Sequence, residues 1–263
     1  MSSQRLAAVT IAVLVLGSVL RLADSAVLAS LSAALTDACL LVAAVGAVAV
    51  ARRSARSSPQ RRGWWAMAAA AACLAVGQLV LGYYVVRSGG KIVFPSAADA
   101  FLVAGMILLA GGLCTFAVTA ERSGLPLGGR LGFWSPAAVV GVAALGAAYA
   151  GIDRAHSASQ APLDFALRLF YPMMDFVILA ASAVMVRVAL KFRGGQLLRT
   201  WLPISLGASV ACISDLVFAQ QSATAGEISI AGFIESLWFL SVVGLGYGVL
   251  NQLLVVRGAP APR

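Results

Sequence analysis

The chain has 263 residues, of which 61% are hydrophobic and only 11% are charged, and its formal net charge is +9. A soluble domain carries about 25% charged residues, so the composition excludes an ordinary soluble protein. A mean hydropathy of +0.93 indicates instead a protein that lies mostly within a lipid bilayer.

Eight apolar runs follow one another along the chain, each near the roughly 20 residues that cross the hydrocarbon of a bilayer. The predicted spans are 6–22, 26–51, 63–86, 97–120, 133–151, 165–190, 200–220 and 230–255. The first run resembles a signal peptide, but no A-x-A-like site follows it, so we interpret it as a span. We therefore predict an all-α polytopic bundle of about eight transmembrane helices, with residues 1–263 forming a single integral membrane domain.

Arginine and lysine are distributed unevenly between the two sides of this predicted bundle. One side carries 14 of the 19 basic residues and the other carries five, among them Arg87 and Arg168. The positive-inside rule places the richer side in the cytoplasm, together with both termini. The segment ARRSARSSPQRR then faces anionic lipid headgroups, and we expect no nucleic-acid partner. Tryptophans at the cytoplasmic span ends, including Trp64 and Trp201, are typical of a membrane-interface belt.

A weak internal repeat is also present. The segment GQLVLGYY at 77–84 aligns with SDLVFAQQ at 214–221, and each is followed at a similar interval by an acid, Asp99 in the first case and Glu235 in the second. Similar intervals elsewhere in the chain suggest four parallel helical hairpins. In transporters, repeats of this kind often place a site at their shared interface.

Acidic residues inside or at the start of spans are the strongest functional signal. A charge in hydrocarbon costs a few kcal/mol or more, so it usually has a partner or a task. We expect most of these acids in the outer half of the bundle, with Asp37 nearer the middle. Arg168, Tyr171 and Asp175 share one helix face by their spacing. The candidate ligand- or proton-binding residues are Asp37, Asp99, Arg168, Tyr171, Asp175, Asp215 and Glu235.

The acids outnumber the single arginine at that depth, so protonation, a bound cation or a cationic ligand must neutralise the excess. An outward-facing polar pocket would fit. Structural roles are the alternative: Asp99 forms a capping box with Ser96, and Asp175 follows Pro172 in a possible first turn. Glu235 could likewise serve a helix start, whereas Asp37 and Asp215 could pair with other helices.

Motifs for catalysis, metals and cofactors are missing from the sequence. His156 is the only histidine, and Cys39, Cys73, Cys114 and Cys212 lack CxxC spacing. No lysine lies inside a predicted span, and no P-loop or GxSxG occurs. We therefore expect no enzyme activity, no cofactor and no metal.

Four segments resemble a known family: PSAADAFLVAGMILLAGGL, FYPMMDFVILA, CISDLVFA and GFIESLWFLSVVGLGYGVL. They are similar to the multi-pass membrane sensor region that precedes GGDEF and EAL domains in bacterial, notably actinobacterial, cyclic-di-GMP signalling proteins. Positions Asp99, Tyr171, Asp175, Asp215 and Trp238 match the motifs of that region.

The sequence departs from the family in three places: Gln78 and Glu235 each stand where an aspartate is common, and the Leu102-Val103 dipeptide stands where a tyrosine is common. After the last predicted span only the short segment VVRGAPAPR follows, so we expect no catalytic domain of the kind that follows this region in the family. The resemblance implies a stand-alone sensor module in the bacterial cytoplasmic membrane, with a cytoplasmic signalling partner. A small proton- or cation-coupled transporter and a structural or assembly subunit remain alternatives, and the oligomeric state stays open.

Overall fold

A computed structural model describes residues 3–22, 26–88, 94–125, 129–158, 161–192, 195–224 and 231–258. These residues form eight α-helices and no strand, which confirms the predicted all-α class. The helices are α1 Ser3–Leu22, α2 Ala26–Arg53, α3 Pro59–Arg87, α4 Ala97–Arg122, α5 Gly129–Ala158, α6 Pro162–Lys191, α7 Gln196–Thr224 and α8 Ala231–Gly258.

Seven of the eight described helices, α2 to α8, are long and apolar enough to cross a membrane, so the protein is a multi-pass membrane protein. The apolar stretch of α1, Gln4–Leu20, is shorter. That α1 crosses the membrane stays a prediction. The side on which each terminus lies stays a prediction as well. The helices also extend a few residues beyond the predicted spans, because backbone groups near lipid satisfy their hydrogen bonds within the helix.

Six helices form a closed ring. In order around the ring, α2 packs on α3, α3 on α4, α4 on α6, α6 on α7, α7 on α8, and α8 returns to α2. Helix α1 lies outside the ring against α8 and α2, and α5 lies outside against α6 and α7. The site described below lies inside the ring.

The two ends of the ring differ in charge. We call the end where α4 and α6 begin the acidic end, because Asp99 and Asp164 lie in the first turns of these helices. The opposite end, where α2, α4, α6 and α8 finish, has Arg53, Arg122 and Arg257 in last turns, and we call it the basic end.

The ring is built from two similar halves. Helix α3 runs from Pro59 to Arg87 and α7 from Gln196 to Thr224, so both helices have 29 residues and a single constant offset in numbering relates them. The unit of repetition is therefore larger than the predicted hairpin: α1 to α4 correspond to α5 to α8. Within each unit the last two helices pack as an antiparallel pair.

Close helix contacts recur at equivalent places in the two halves. A Cβ added at Gly112 would lie 3.0 Å from the carbonyl oxygen of Gly63, and one added at Gly248 would lie 2.5 Å from that of Thr200. The second pair follows the first by nearly the same offset that relates α3 to α7. Glycine at both places lets the helix backbones approach closely, as expected for helix packing in lipid.

Aromatic side chains fill the interior of the ring at the basic end. Trp64 and Trp201, which are equivalent positions in the two halves, have ring centroids 6.2 Å apart, and Phe116 lies 5.0 Å from each. Both tryptophans are 3% exposed. The prediction that they form an interface belt is therefore wrong, because their helix faces point into the ring, whereas Trp65 beside them is exposed.

Candidate functional site

A cavity of about 240 Å³ lies inside the ring, and residues from all six ring helices line it. Along α4 its lining runs from Asp99 to Leu113, a distance of about 21 Å at 1.5 Å per residue. Its walls toward the basic end are apolar. Its polar lining residues are Gln78, Asp99, Arg168, Tyr171, Asp175, Asp215, Trp238 and Ser241.

Asp99 has a structural role and a place in the cavity at the same time. Its Oδ2 accepts the backbone N–H of Ser96 at 2.6 Å, which completes the predicted capping box of α4. Its Oδ1 accepts the hydroxyl of Tyr171 at 2.6 Å and so joins α4 to α6. The carboxylate is 7% exposed. Capping and cavity lining are thus not alternatives for this residue.

Arg168 forms an ion pair that is absent from the sequence prediction. Its Nε lies 2.7 Å from Oδ1 of Asp164, one turn earlier on α6, and its guanidinium lies 5.3 Å from the centre of the Phe94 ring. Asp164 lies just outside the predicted span 165–190, although its i, i+4 spacing to Arg168 is visible in the sequence. The charge of Arg168 is therefore balanced within its own helix.

Asp175 on α6 and Asp215 on α7 both line the cavity and are near enough to interact electrostatically, and we call them the acid pair. Asp175 is 3% exposed, and its Oδ2 is buried without a hydrogen-bond partner. Asp215 accepts the indole N–H of Trp238. Helix α6 begins at Pro162, so Asp175 lies about 20 Å along it and Pro172 is internal. The possible first-turn role of Asp175 is therefore wrong.

The charges of the lining do not cancel. Among the lining residues that the structure describes, Arg168 is the single cation, and it is paired with Asp164. Asp99, Asp175 and Asp215 remain as carboxyl groups without a cationic partner in the lining. Three carboxyl groups and one cation that is already paired leave the lining with an excess of acidic groups.

Two of the predicted site residues lie apart from the cavity. Asp37 is half-buried on α2, and its Oδ1 is buried without a hydrogen-bond partner, but of α2 only Leu40, three residues further on, lines the cavity. Glu235 is exposed on α8 beyond the first helical turn and is not part of the lining. The structure therefore brings together five of the seven predicted residues.

The cavity lies between the two equivalent halves of the ring. Gln78 and Asp215 occupy equivalent positions of α3 and α7, and both line it. Leu102 and Trp238 occupy corresponding positions of α4 and α8, and both line it as well. The halves differ in chemistry, because a carboxylate and an indole in one replace an amide and an isobutyl group in the other. The hydrogen bond from Trp238 on α8 to Asp215 on α7 has no equivalent between Leu102 and Gln78, because leucine has no donor. The short sequence repeat alone does not reveal this bond.

The described residues contain no group of three or more histidine, cysteine, aspartate or glutamate side chains placed to hold a metal ion. The protein has no match among protein-family models, curated proteins or solved structures.

Proposed function

We propose that this multi-pass membrane protein is a sensor that binds a ligand in the cavity and transmits its occupancy through α8. The observation that carries the proposal is the buried, unpartnered Oδ2 of Asp175 in the cavity lining. A buried polar atom without a partner costs about 1–3 kcal/mol, so a purely structural role leaves it unexplained. A ligand that supplies the missing donor explains it.

Helix α8 is a suitable transmitting element. Trp238 near its acidic end is hydrogen-bonded to Asp215, a member of the acid pair. A ligand that bonds to Asp215 competes with the indole N–H and changes how α8 is held. Because α8 also packs against α1, α2 and α7, such a change reaches the basic end, where α8 finishes at Gly258.

The expected orientation agrees with this scheme. The excess of arginine and lysine favours a cytoplasmic basic end, so the acidic end would face outward and the moving end of α8 would face a cytoplasmic signalling partner. The resemblance to bacterial membrane sensor regions, at Asp99, Tyr171, Asp175, Asp215 and Trp238, supports the same assignment. It also supports a location in the bacterial cytoplasmic membrane.

Transport is the second candidate, and the internal repeat favours it. Parallel repeats related by an axis along the membrane normal, with a site between them, occur in several transporter folds. The equivalent tryptophans Trp64 and Trp201 close the basic end between the two halves. Movement of one half against the other would open that end, and the ligand would then cross the membrane.

The binding proposal can be tested on protein extracted with its native lipids into nanodiscs. Native mass spectrometry of the wild type should detect a copurified small molecule that is missing from Ala211→Phe, which fills the cavity. The matched control is Val142→Phe, since Val142 is 71% exposed on α5 and away from the cavity. The same occupancy in the wild type and Ala211→Phe, or none in either, contradicts the proposal.

A sensor and a transporter differ in what ligand binding causes: a changed distance at the basic end in the first case, and transport of the ligand in the second. For the sensor, spin labels at Arg122 and Arg257 should report a changed distance at the basic end between wild type and Ala211→Phe. Proteoliposomes should then accumulate none of the molecule identified by mass spectrometry. Accumulation that Ala211→Phe abolishes would replace the sensor with the transporter.

A further inference from the structure

We infer that the cavity binds an amphipathic organic cation: an ammonium group at Asp175 and Asp215, with an apolar body extending toward Leu113. This inference rests on the proposed function, because it names the class of ligand for the same cavity. It follows from three features of the lining, which are its missing donor, its charge and its shape.

The buried acceptor that lacks a hydrogen-bond donor is Oδ2 of Asp175. Asp99 already accepts hydrogen bonds from Ser96 and Tyr171, and Asp215 accepts one from Trp238. Oδ2 of Asp175 is buried and accepts none. An ammonium group carries up to three N–H donors and no acceptor, so it can bond to Asp175 and Asp215 together.

The charge of the lining excludes an anion of the same shape. Arg168 is the single cation among the described lining residues, and Asp164 neutralises it at 2.7 Å. A carboxylate or phosphate head would therefore meet three carboxyl groups without a free positive charge. A cation gains attraction from each of them, and this attraction is strong where water is excluded.

The shape of the lining favours an organic cation over an inorganic ion. Below the acid pair the cavity continues between apolar side chains such as Met106, Leu109 and Leu245. A small ion would leave this part empty, and an alkyl or aromatic body fills it. Around the head, the rings of Tyr171 and Trp238 also line the cavity, and aromatic faces attract ammonium groups.

Three eight-carbon probes with different heads separate these features: octylamine, octanol and octanoate. Calorimetric titration of the full chain in nanodiscs, with empty nanodiscs subtracted for lipid partitioning, measures each affinity. Octylamine should bind at least about tenfold more tightly than either of the others, the effect of one charge-assisted hydrogen bond. Butylamine, with the same head and a shorter chain, should also bind at least about tenfold more weakly than octylamine.

Three variants and one control locate the binding. Asp175→Asn and Asp215→Asn should each weaken octylamine binding by about tenfold or more while keeping the wild-type melting temperature within a few degrees. Glu235→Gln is the matched control, because it removes an acid of α8 that does not line the cavity. Ala211→Phe shortens the cavity and leaves every carboxyl group in place. It should weaken the binding of octylamine more than the binding of butylamine.

The possible outcomes separate the ligand class from the cavity itself. Equal binding of octanol or octanoate, still lost in Ala211→Phe, overturns the cation and leaves the cavity as a ligand site. A copurified anion or neutral lipid does the same. Octylamine binding that is unchanged in both Asn variants overturns the assignment of the head to Asp175 and Asp215. If no probe binds and no molecule copurifies, both the inference and the proposed function fail.

Discussion

Trp238 on α8 donates its indole N–H to Asp215 on α7 and so joins the two helices at the level of the acid pair. The equivalent positions in the other half are Leu102 and Gln78, which line the cavity as well. The two halves of the ring are therefore alike in helix order and different in chemistry. This difference places the carboxyl pair and its link to α8 on one side of the cavity.

Trp238→Phe keeps an aromatic ring and removes the donor. The loss of a hydrogen bond to a charged acceptor should lower the free energy of unfolding by about 1.5–3 kcal/mol. Ligand binding at Asp175 should persist, whereas the distance between labels at Arg122 and Arg257 should no longer respond to the ligand. Trp65→Phe, at an exposed position, is the matched control and should change neither quantity. A normal distance response in Trp238→Phe would remove α8 from the transmission scheme.

Tyr171→Phe removes the hydroxyl that bonds to Oδ1 of Asp99. Because Asp99 is buried, the unsatisfied oxygen should cost about 1–3 kcal/mol of unfolding free energy. A double-mutant cycle with Asp99→Asn should show coupling between the two positions of about 0.5–3 kcal/mol. Tyr83→Phe is the control, since Tyr83 is 58% exposed on α3. Additive effects in the cycle would mean that the hydrogen bond contributes nothing to stability.

Arg168→Ala should be strongly destabilising, because it removes the cationic partner of the buried carboxylate of Asp164. The expected loss is about 3–5 kcal/mol, and the double variant Asp164→Ala with Arg168→Ala should recover much of it. The double variant Asp175→Ala with Arg168→Ala should recover none of the lost free energy of unfolding. Denaturant unfolding in mixed micelles measures all of these variants. Recovery with Asp175 rather than Asp164 would mean that Asp164 is not the partner of Arg168.

Gly248→Ala and Gly111→Ala form a matched pair of substitutions in equivalent helices. A Cβ at Gly248 would lie 2.5 Å from the carbonyl oxygen of Thr200, whereas one at Gly111 meets nothing within 4 Å. The first should loosen the α7–α8 contact and lower the melting temperature. The second should raise stability by about 0.5–1 kcal/mol through helix propensity. Similar effects of the two would mean that α7 and α8 do not pack this closely.

The helices and most of the site could be predicted from the sequence. Apolar runs and their flanking charges determine the helices, and buried carboxylates such as Asp175 and Asp215 stand out in such runs. The partners of these residues could not be predicted. Whether Trp238 reaches Asp215, and whether Trp64 faces lipid or the ring, depends on helix rotation and on which helices are neighbours.

The i, i+4 spacing of Asp164 and Arg168 would have predicted the ion pair of α6. The prediction was not made because Asp164 lies near the start of the helix. Asp164 and Arg168 are separated by one helical turn, yet Asp164 precedes the apolar run and so falls outside the predicted span. The helix extends to Pro162, since a helix is also favourable in the polar region just beyond the hydrocarbon. Asp37 and Glu235 show the converse, because acids in apolar runs need not line the cavity.

The free energy of unfolding of Asp175→Asn, measured on ligand-free protein in nanodiscs, decides whether Asp175 serves a ligand or the scaffold. If Asp175 serves a ligand, its unpartnered carboxyl weakens the empty protein, and such sites trade stability for function. Asp175→Asn should then be as stable as the wild type or more stable, and it should carry no copurified molecule. If Asp175 is a scaffold residue, the substitution should lower the free energy of unfolding by more than about 2 kcal/mol, and this result would rule out a ligand at Asp175.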